Sequence, residues 1–122
     1  MSRFRSLPHS FRYAITGLKV AARNEPNFQV HIFAASVVLA GAALLRFSTI
    51  EWLFLLFTTT FVIVLELLNT SIEALVNLVS PEVRPQAKIA KDVSAAMVLI
   101  AALMSVSVGV LLFIPKLMPL FP

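Results

Sequence analysis

Three long apolar runs constrain the fold of this chain more than any other feature. They cover residues 30–45, 50–68 and 93–114. A helix that crosses the hydrocarbon core of a bilayer needs about 20 mostly apolar residues. The first run is short for this, so either it extends to Phe28 and Phe47 or it lies at the thin end of the range. Of the 122 residues, 59% are hydrophobic and 13% charged, which predicts an all-α integral membrane protein.

A segment before the first run, residues 9–23, has the pattern of an amphipathic helix. One face is apolar and the other mostly basic, which is typical of a helix that lies in the membrane interface. The apolar face comprises Phe11, Ala14, Ile15, Leu18 and Ala22, and the polar face comprises Arg12, Thr16, Lys19 and Arg23. The stretch 24–27 should interrupt this helix, because the residue before a proline is biased away from α.

We therefore expect one membrane domain over residues 1–122, with a surface helix at 9–23 and transmembrane helices at 28–47, 50–73 and 91–114. Pro115 should prevent the last helix from continuing. No signal peptide is evident at the N-terminus.

The basic residues are distributed unequally between the two sides of such a bundle. One side would contain Arg3, Arg5, Arg12, Lys19, Arg23, Arg84, Lys88 and Lys91, and the other only Arg46 and Lys116. The positive-inside rule then places the N-terminus in the cytoplasm and the C-terminus outside. The net charge of +4 suits lipid headgroups or a phosphate ligand. We expect no nucleic-acid binding, because aromatic residues are not interleaved with the basic ones on any binding face.

Two carboxylates and a carboxamide form a polar stripe at the end of the second run. Glu66, Asn69 and Glu73 fall within an arc of roughly 60° on a helix. An ionisable group in lipid is costly and indicates a functional site. The two glutamates lie about 10 Å apart along the axis, so they cannot share one metal ion or one proton. Glu66 is deeper in the apolar run and suits proton exchange, whereas Glu73 could hold a divalent cation with a carboxylate such as Glu25.

A second cluster, Lys88, Lys91 and Asp92, shares one helical face where the third span begins. The lysines could hold phosphates, and Asp92 could orient one of them or a metal-bound water. Two structural alternatives remain open. Asn69 could simply join helices, and the lysines could simply flank a span beside a local ion pair. His31, at the start of the first span, is typical of an interfacial residue, and no glycine-rich phosphate loop is present.

The motif Glu66-Leu67-Leu68-Asn69-Thr70-Ser71-Ile72-Glu73 resembles the signature E-[IL]-x-N-[TS]-[AS]-I-E of the prokaryotic diacylglycerol kinase family, which includes undecaprenol kinases. Ala90-Lys91-Asp92 and Asn24-Glu25 followed by Phe28 resemble two further motifs of that family. The resemblance extends from Tyr13 to Lys116. It implies a homotrimeric bundle in the bacterial cytoplasmic membrane, each chain with a surface helix and three spans, with active sites shared between subunits.

The resemblance also implies an activity, the transfer of the γ-phosphoryl group of ATP to a membrane alcohol with Mg²⁺ as cofactor. Glu66 would be the general base on the lipid hydroxyl, and Glu25 and Glu73 would hold magnesium. The residues implied on the nucleotide side are Tyr13, Glu25, Asn69, Glu73, Glu82, Arg84, Lys91 and Asp92. Arg5 is implied near the lipid.

Two features set this chain apart within the family. Many members have aspartate where this chain has Asn77. The segments Asn27-Phe28-Gln29-x-His31, Ile50-Glu51-Trp52 and Pro115-Lys116-Leu117 are more similar to the undecaprenol kinase branch. They favour undecaprenol as the acceptor, with diacylglycerol, which would give phosphatidic acid, a close second. A proton-coupled transporter that uses Glu66 as its proton carrier, or a non-catalytic membrane scaffold, are the alternatives from other classes.

Overall fold

The computed structural model describes residues 7–121, and within them the chain is helical without a strand. Arg5 lies outside the described residues. The helices are α1 (Leu7–Asn24), α2 (Pro26–Leu44), α3 (Thr49–Val79) and α4 (Pro85–Leu117), followed by a 3₁₀ turn at Met118–Leu120. Three of them, α2, α3 and α4, are long and apolar enough to span a membrane. The predicted all-α membrane fold, with an amphipathic helix before three spans, is confirmed.

The helices α3 and α4 are longer than the sequence predicted. The expected end of the last helix before Pro115 was wrong, because Pro115 lies inside α4 and the helix continues to Leu117. Proline removes one backbone donor, but the next turn forms all the same, and the N–H of Met118 donates to the carbonyl of Ile114. A proline in the last turn of a helix therefore did not end it.

The break between α1 and α2 lies where the sequence placed it, at Asn24-Glu25-Pro26. Gln29 joins the two helices, since its side-chain amide donates to the carbonyls of Ala22 at 3.0 Å and Arg23 at 3.3 Å. These carbonyls belong to the last turn of α1 and have no partner within that helix. The surface helix is thus attached to the start of α2.

The connection between α2 and α3 is a tight turn. Arg46 has a φ of 51°, the left-handed conformation that often ends a helix. The N–H groups of Arg46 and Phe47 donate to the carbonyls of Ala43 at 3.3 Å and Ala42 at 3.1 Å, which is a Schellman motif. Ser48 then caps α3 through a reciprocal capping box with Glu51. The turn has little freedom to change the register of the two helices.

An aromatic cluster fixes α4 against this turn. The ring of Phe47 is 4.8 Å from that of Phe113, and Phe113 closely approaches Gly41 on α2. Lys116 forms an ion pair with Glu51 at 3.1 Å and lies 5.7 Å from the centre of the Phe47 ring. We call this end of the bundle the turn end, and the end at which α2 begins the polar end.

The helix lengths determine how far each residue lies from the turn end. At 1.5 Å per residue, α2 is about 28 Å long, close to the hydrocarbon thickness of a bilayer, whereas α3 and α4 reach about 46 and 50 Å. Because all three are held together at the turn end, the extra length of α3 and α4 lies at the polar end. Glu66 is about 26 Å along α3, Asn69 about 30 Å and Glu73 about 36 Å.

Candidate active site at the polar end of the bundle

Glu66 is the most deeply placed acidic side chain at the polar end. It is 2% exposed and continues a buried stripe of α3 that comprises Leu55, Thr58, Thr59, Val62, Glu66 and Asn69. Its carboxylate makes no hydrogen bond with another residue of the described range 7–121. Its distance from the turn end, about 26 Å along α3, is slightly less than the thickness of a hydrocarbon core, about 30 Å.

Ionisable groups from α2, α3 and the residue before α2 act on Glu66. His31 on α2, Glu25 directly before α2, and Glu73 on α3 all interact with it electrostatically. Glu25 and Glu73 are half-buried, and Glu25 makes no capping bond although it precedes the first residue of α2. The structure therefore brings Glu25 to the stripe, as the sequence suggested. Two carboxylates, Glu25 and Glu73, thus repel that of Glu66, which is costly for folding.

His31 is a member of this group that we expected only at the interface. It is half-buried and belongs to the lining of an apolar cavity of about 390 Å³ between α2, α3 and α4. Small side chains, including Ala34, Ala35 and Gly109, form much of the wall. Val62, one turn before Glu66, also lines it. The cavity thus lies on the membrane side of the Glu66 carboxylate.

Asn69 forms a buried hydrogen bond between α3 and α4. The hydroxyl of Ser94 donates to its Oδ1 at 2.6 Å, and the two residues are only 6% and 1% exposed. Asn69 therefore joins α3 to α4, as the structural alternative held. It does so within the polar stripe of α3, between Glu66 and Glu73. Sequence reasoning missed Ser94, although it lies one turn after Lys91 and would share the helical face of that residue.

The second predicted cluster divides into two parts. Lys88 and Asp92 form an ion pair at 2.5 Å, with side chains 69% and 62% exposed. Such an exposed pair adds little to stability. Lys91 is half-buried and makes no ion pair with a residue in the described range. Of the two lysines, Lys91 is therefore the one available to an anionic ligand, whereas Lys88 is paired with Asp92.

An open groove of about 310 Å³ lies between the α3–α4 loop and the first turns of α4. Its polar lining includes Asn77, Glu82, Arg84, Lys88 and Lys91. Glu82 and Arg84 form a loose, exposed ion pair at 3.8 Å. Three residues predicted on the nucleotide side, Glu82, Arg84 and Lys91, thus border one groove. Tyr13, which is 72% exposed on α1, is not among the residues that line this groove.

The oxygen ligands at the polar end suit a hard divalent cation only in part. Within residues 7–121, no three His, Asp or Glu side chains converge as a complete metal site. Magnesium, however, is usually bound by one or two carboxylates together with water and substrate phosphates. Glu25 and Glu73, both half-buried near Glu66, provide this incomplete set. Their chemistry fits magnesium that arrives with a nucleotide.

Comparison with known proteins gives a consistent result. The sequence model of the family described as "Prokaryotic diacylglycerol kinase" matches residues 12–113. The undecaprenol kinase of Bacillus subtilis is 43% identical over 108 residues, 88% of each chain. A diacylglycerol kinase of Synechocystis is 42% identical over 91% of this chain, a match that spans 64% of the Synechocystis protein. The diacylglycerol kinase of Haemophilus influenzae is 33% identical over 78% of this chain and 80% of its own.

The replacement of glutamate by glutamine should have opposite effects on thermal stability at Glu66 and at Glu51. Glu66→Gln should raise the thermal midpoint in detergent at pH 8, equivalent to about 1–3 kcal/mol in the free energy of unfolding, because it removes a poorly solvated negative charge that Glu25 and Glu73 repel. Glu51→Gln, the control, should lower the midpoint, because Glu51 accepts from the Ser48 N–H and pairs with Lys116. Thermal unfolding followed by circular dichroism measures both. A lower midpoint for Glu66→Gln would contradict the prediction.

Proposed function

Because the chain belongs to the prokaryotic diacylglycerol kinase family and is therefore a membrane lipid kinase, we propose that it transfers the γ-phosphoryl group of ATP to undecaprenol. Diacylglycerol, with phosphatidic acid as product, is the second acceptor. The proposed location is the bacterial cytoplasmic membrane with the N-terminus in the cytoplasm. The basic residues of α1 and of the α3–α4 loop lie at the polar end, and the positive-inside rule places that end in the cytoplasm.

The position of Glu66 is the observation that best supports this function. A lipid alcohol reaches the protein sideways from the bilayer, with its hydroxyl near the edge of the hydrocarbon core. The position of Glu66, about 26 Å along α3, suits that depth, and Val62, one turn before it, lines an apolar cavity of about 390 Å³. It is free of hydrogen bonds with other described residues, so it can accept the hydroxyl proton as the general base.

Phosphoryl transfer requires mainly positioning and charge neutralisation. We assign these roles to residues from three helices and a loop. Asn69, Lys91 and Asp92 would position the phosphates, and Glu25 and Glu73 would hold the magnesium that arrives with ATP. Glu82, Arg84 and Tyr13 would contact the nucleotide, and Arg5 the lipid. The metal would supply charge neutralisation on the phosphates.

A homotrimer with shared sites is part of the proposal. Tyr13 points to solvent in the single chain, while α2, α3 and α4 expose many large apolar side chains. A neighbouring chain can supply the surface helix that the groove beside Glu82 and Arg84 lacks.

A proton-coupled transporter fits the structure less well. A transport path needs polar groups along the whole span. Between Glu66 and the turn end, the buried polar residues of α3 are Thr58 and Thr59, and both hydroxyls donate to carbonyls of their own helix. The ionisable groups near Glu66 all belong to the polar end.

Labelled ATP, magnesium and two acceptors test the function directly. Purified protein in mixed micelles should transfer label to undecaprenol with a higher kcat/KM than to diacylglycerol. Protein without added lipid is the control for ATP hydrolysis. Equal or greater labelling of diacylglycerol would contradict the acceptor assignment, and label in neither lipid would contradict the kinase itself.

Glu66→Gln should separate chemistry from nucleotide binding. The amide keeps the size of the side chain but cannot accept a proton, so kcat should fall by about 10²–10⁴-fold while the Kd for Mg-ATP stays within about twofold. Turnover and calorimetric binding are the two measurements. Loss of binding with loss of turnover would show that Glu66 has another role.

Glu73→Gln should weaken the response to magnesium. Removing one of two carboxylates should raise the magnesium concentration for half-maximal activity by about tenfold or more, since a hard cation prefers anionic oxygen. Glu51→Gln removes the same charge at the turn end and should leave the magnesium titration unchanged. A Glu73→Gln titration that coincides with wild type would exclude Glu73 as a ligand.

A further inference from the structure

We propose that Ser94 is a positioning residue for phosphoryl transfer: its hydroxyl holds the carboxamide oxygen of Asn69, so that the NH₂ group of Asn69 faces the phosphates of the bound nucleotide. The inference rests on the proposed function and adds a residue that neither the motifs nor the comparisons identify.

The contact itself is short and buried. Ser94 is 1% exposed and Asn69 is 6% exposed, and Ser94 Oγ lies 2.6 Å from Asn69 Oδ1. A buried hydrogen bond of this kind is costly to lose, because the remaining partner stays desolvated. The side chain of Asn69 is therefore held in one position between α3 and α4.

The direction of the proton follows from a second contact. Ser94 Oγ also lies 2.9 Å from the carbonyl oxygen of Lys91, but a hydroxyl has a single proton. With Oδ1 of Asn69 toward Ser94, as in this structure, a proton directed at the Lys91 carbonyl would leave two oxygens 2.6 Å apart without a proton between them. The proton therefore goes to Asn69, and the Ser94 hydroxyl stays close to the backbone of Lys91.

The other end of the amide is left available. Asn69 Nδ2 makes no hydrogen bond with a residue in the range 7–121. In that range, the buried side-chain polar atom without a partner is Thr70 Oγ1, and no atom of Asn69 is in this state. Nδ2 must consequently be at an accessible surface, where its two N–H groups can donate.

This orientation matters because a carboxamide has two chemically opposite ends. The NH₂ group attracts a phosphate oxygen, whereas the carbonyl oxygen repels it. On α3, Asn69 lies between the general base and a metal ligand, Glu66 and Glu73. Ser94 selects the donor end for the site, and through its contact with the Lys91 backbone it places the amide beside the Lys91 cation.

The test compares four full-length variants with wild type: Ser94→Ala, Ser94→Thr, Asn69→Ala and the double variant. The Kd of a non-hydrolysable ATP analogue with magnesium is measured for each, together with the KM values for ATP and lipid. Ser94→Ala should raise the Kd and the KM for ATP by about five- to tenfold and leave the KM for lipid unchanged. Ser107→Ala, whose exposed hydroxyl on α4 donates within its own helix, is the matched control.

Two results distinguish orientation from packing. In the Asn69→Ala background, Ser94→Ala should have no further effect on the Kd, because there is no amide left to orient. Ser94→Thr keeps the hydroxyl and should bind the analogue within about twofold of wild type; if its added methyl prevents folding, the double-variant comparison decides alone. A Ser94→Ala protein with a lower thermal midpoint and unchanged ATP affinity would overturn the proposal, as would equal effects with and without Asn69.

Failure of the proposed function looks different. A wild-type protein that labels neither lipid contradicts the lipid kinase whatever the Ser94 variants do. A wild-type protein that labels lipid, with ATP affinity insensitive to Ser94→Ala, contradicts only the role of Ser94.

Discussion

The match between helix length and bilayer thickness is the constraint on which the rest of the structure depends. The α2–α3 turn and the contact of Phe113 with Phe47 hold three helices together at one end. The level of every other helical residue in the bundle is then set by its distance along its helix from the turn end. Asn69 on α3, Ser94 on α4 and Glu25 directly before α2 each lie about 30 Å from the turn end. Polar groups from three segments therefore gather at one level, at a distance close to the thickness of a bilayer.

The polar end gathers groups that folding alone would not favour. Three carboxylates interact there, and the one most deeply buried, Glu66, has no hydrogen-bond partner among the residues described. The turn end shows the opposite arrangement, since Glu51 there has a capping partner and a cation. The turn end thus holds the stabilising contacts, whereas the proposed active site lies at the opposite end of the same helices. Proteins commonly accept such local instability where function needs it.

Much of the fold and part of the candidate site could be predicted from the sequence. Apolar runs and the polar interruption at Pro26 determine the helices, and the periodicity of α3 places Glu66, Asn69 and Glu73 on one face. Positive-inside flanking cannot reveal that Lys88 pairs with Asp92 while Lys91 turns inward, because that depends on rotation of α4 against α3. Ser94 was missed because its contact with Asn69 also depends on that rotation. In addition, a serine in a membrane helix usually bonds to its own backbone. Pro115 was misjudged because a proline in a last turn costs only one hydrogen bond.

The depth of Glu66 has a consequence for what the protein can discriminate. The proposed base is fixed by helix length at one level of the bilayer, so an acceptor would have to hold its hydroxyl at that level before any difference in its tail could affect the rate. A polyprenol and a diacylglycerol differ greatly in their tails but both present an alcohol near the headgroup boundary. In this view the membrane itself contributes to substrate recognition, because it presents hydroxyl groups at the depth of the Glu66 carboxylate.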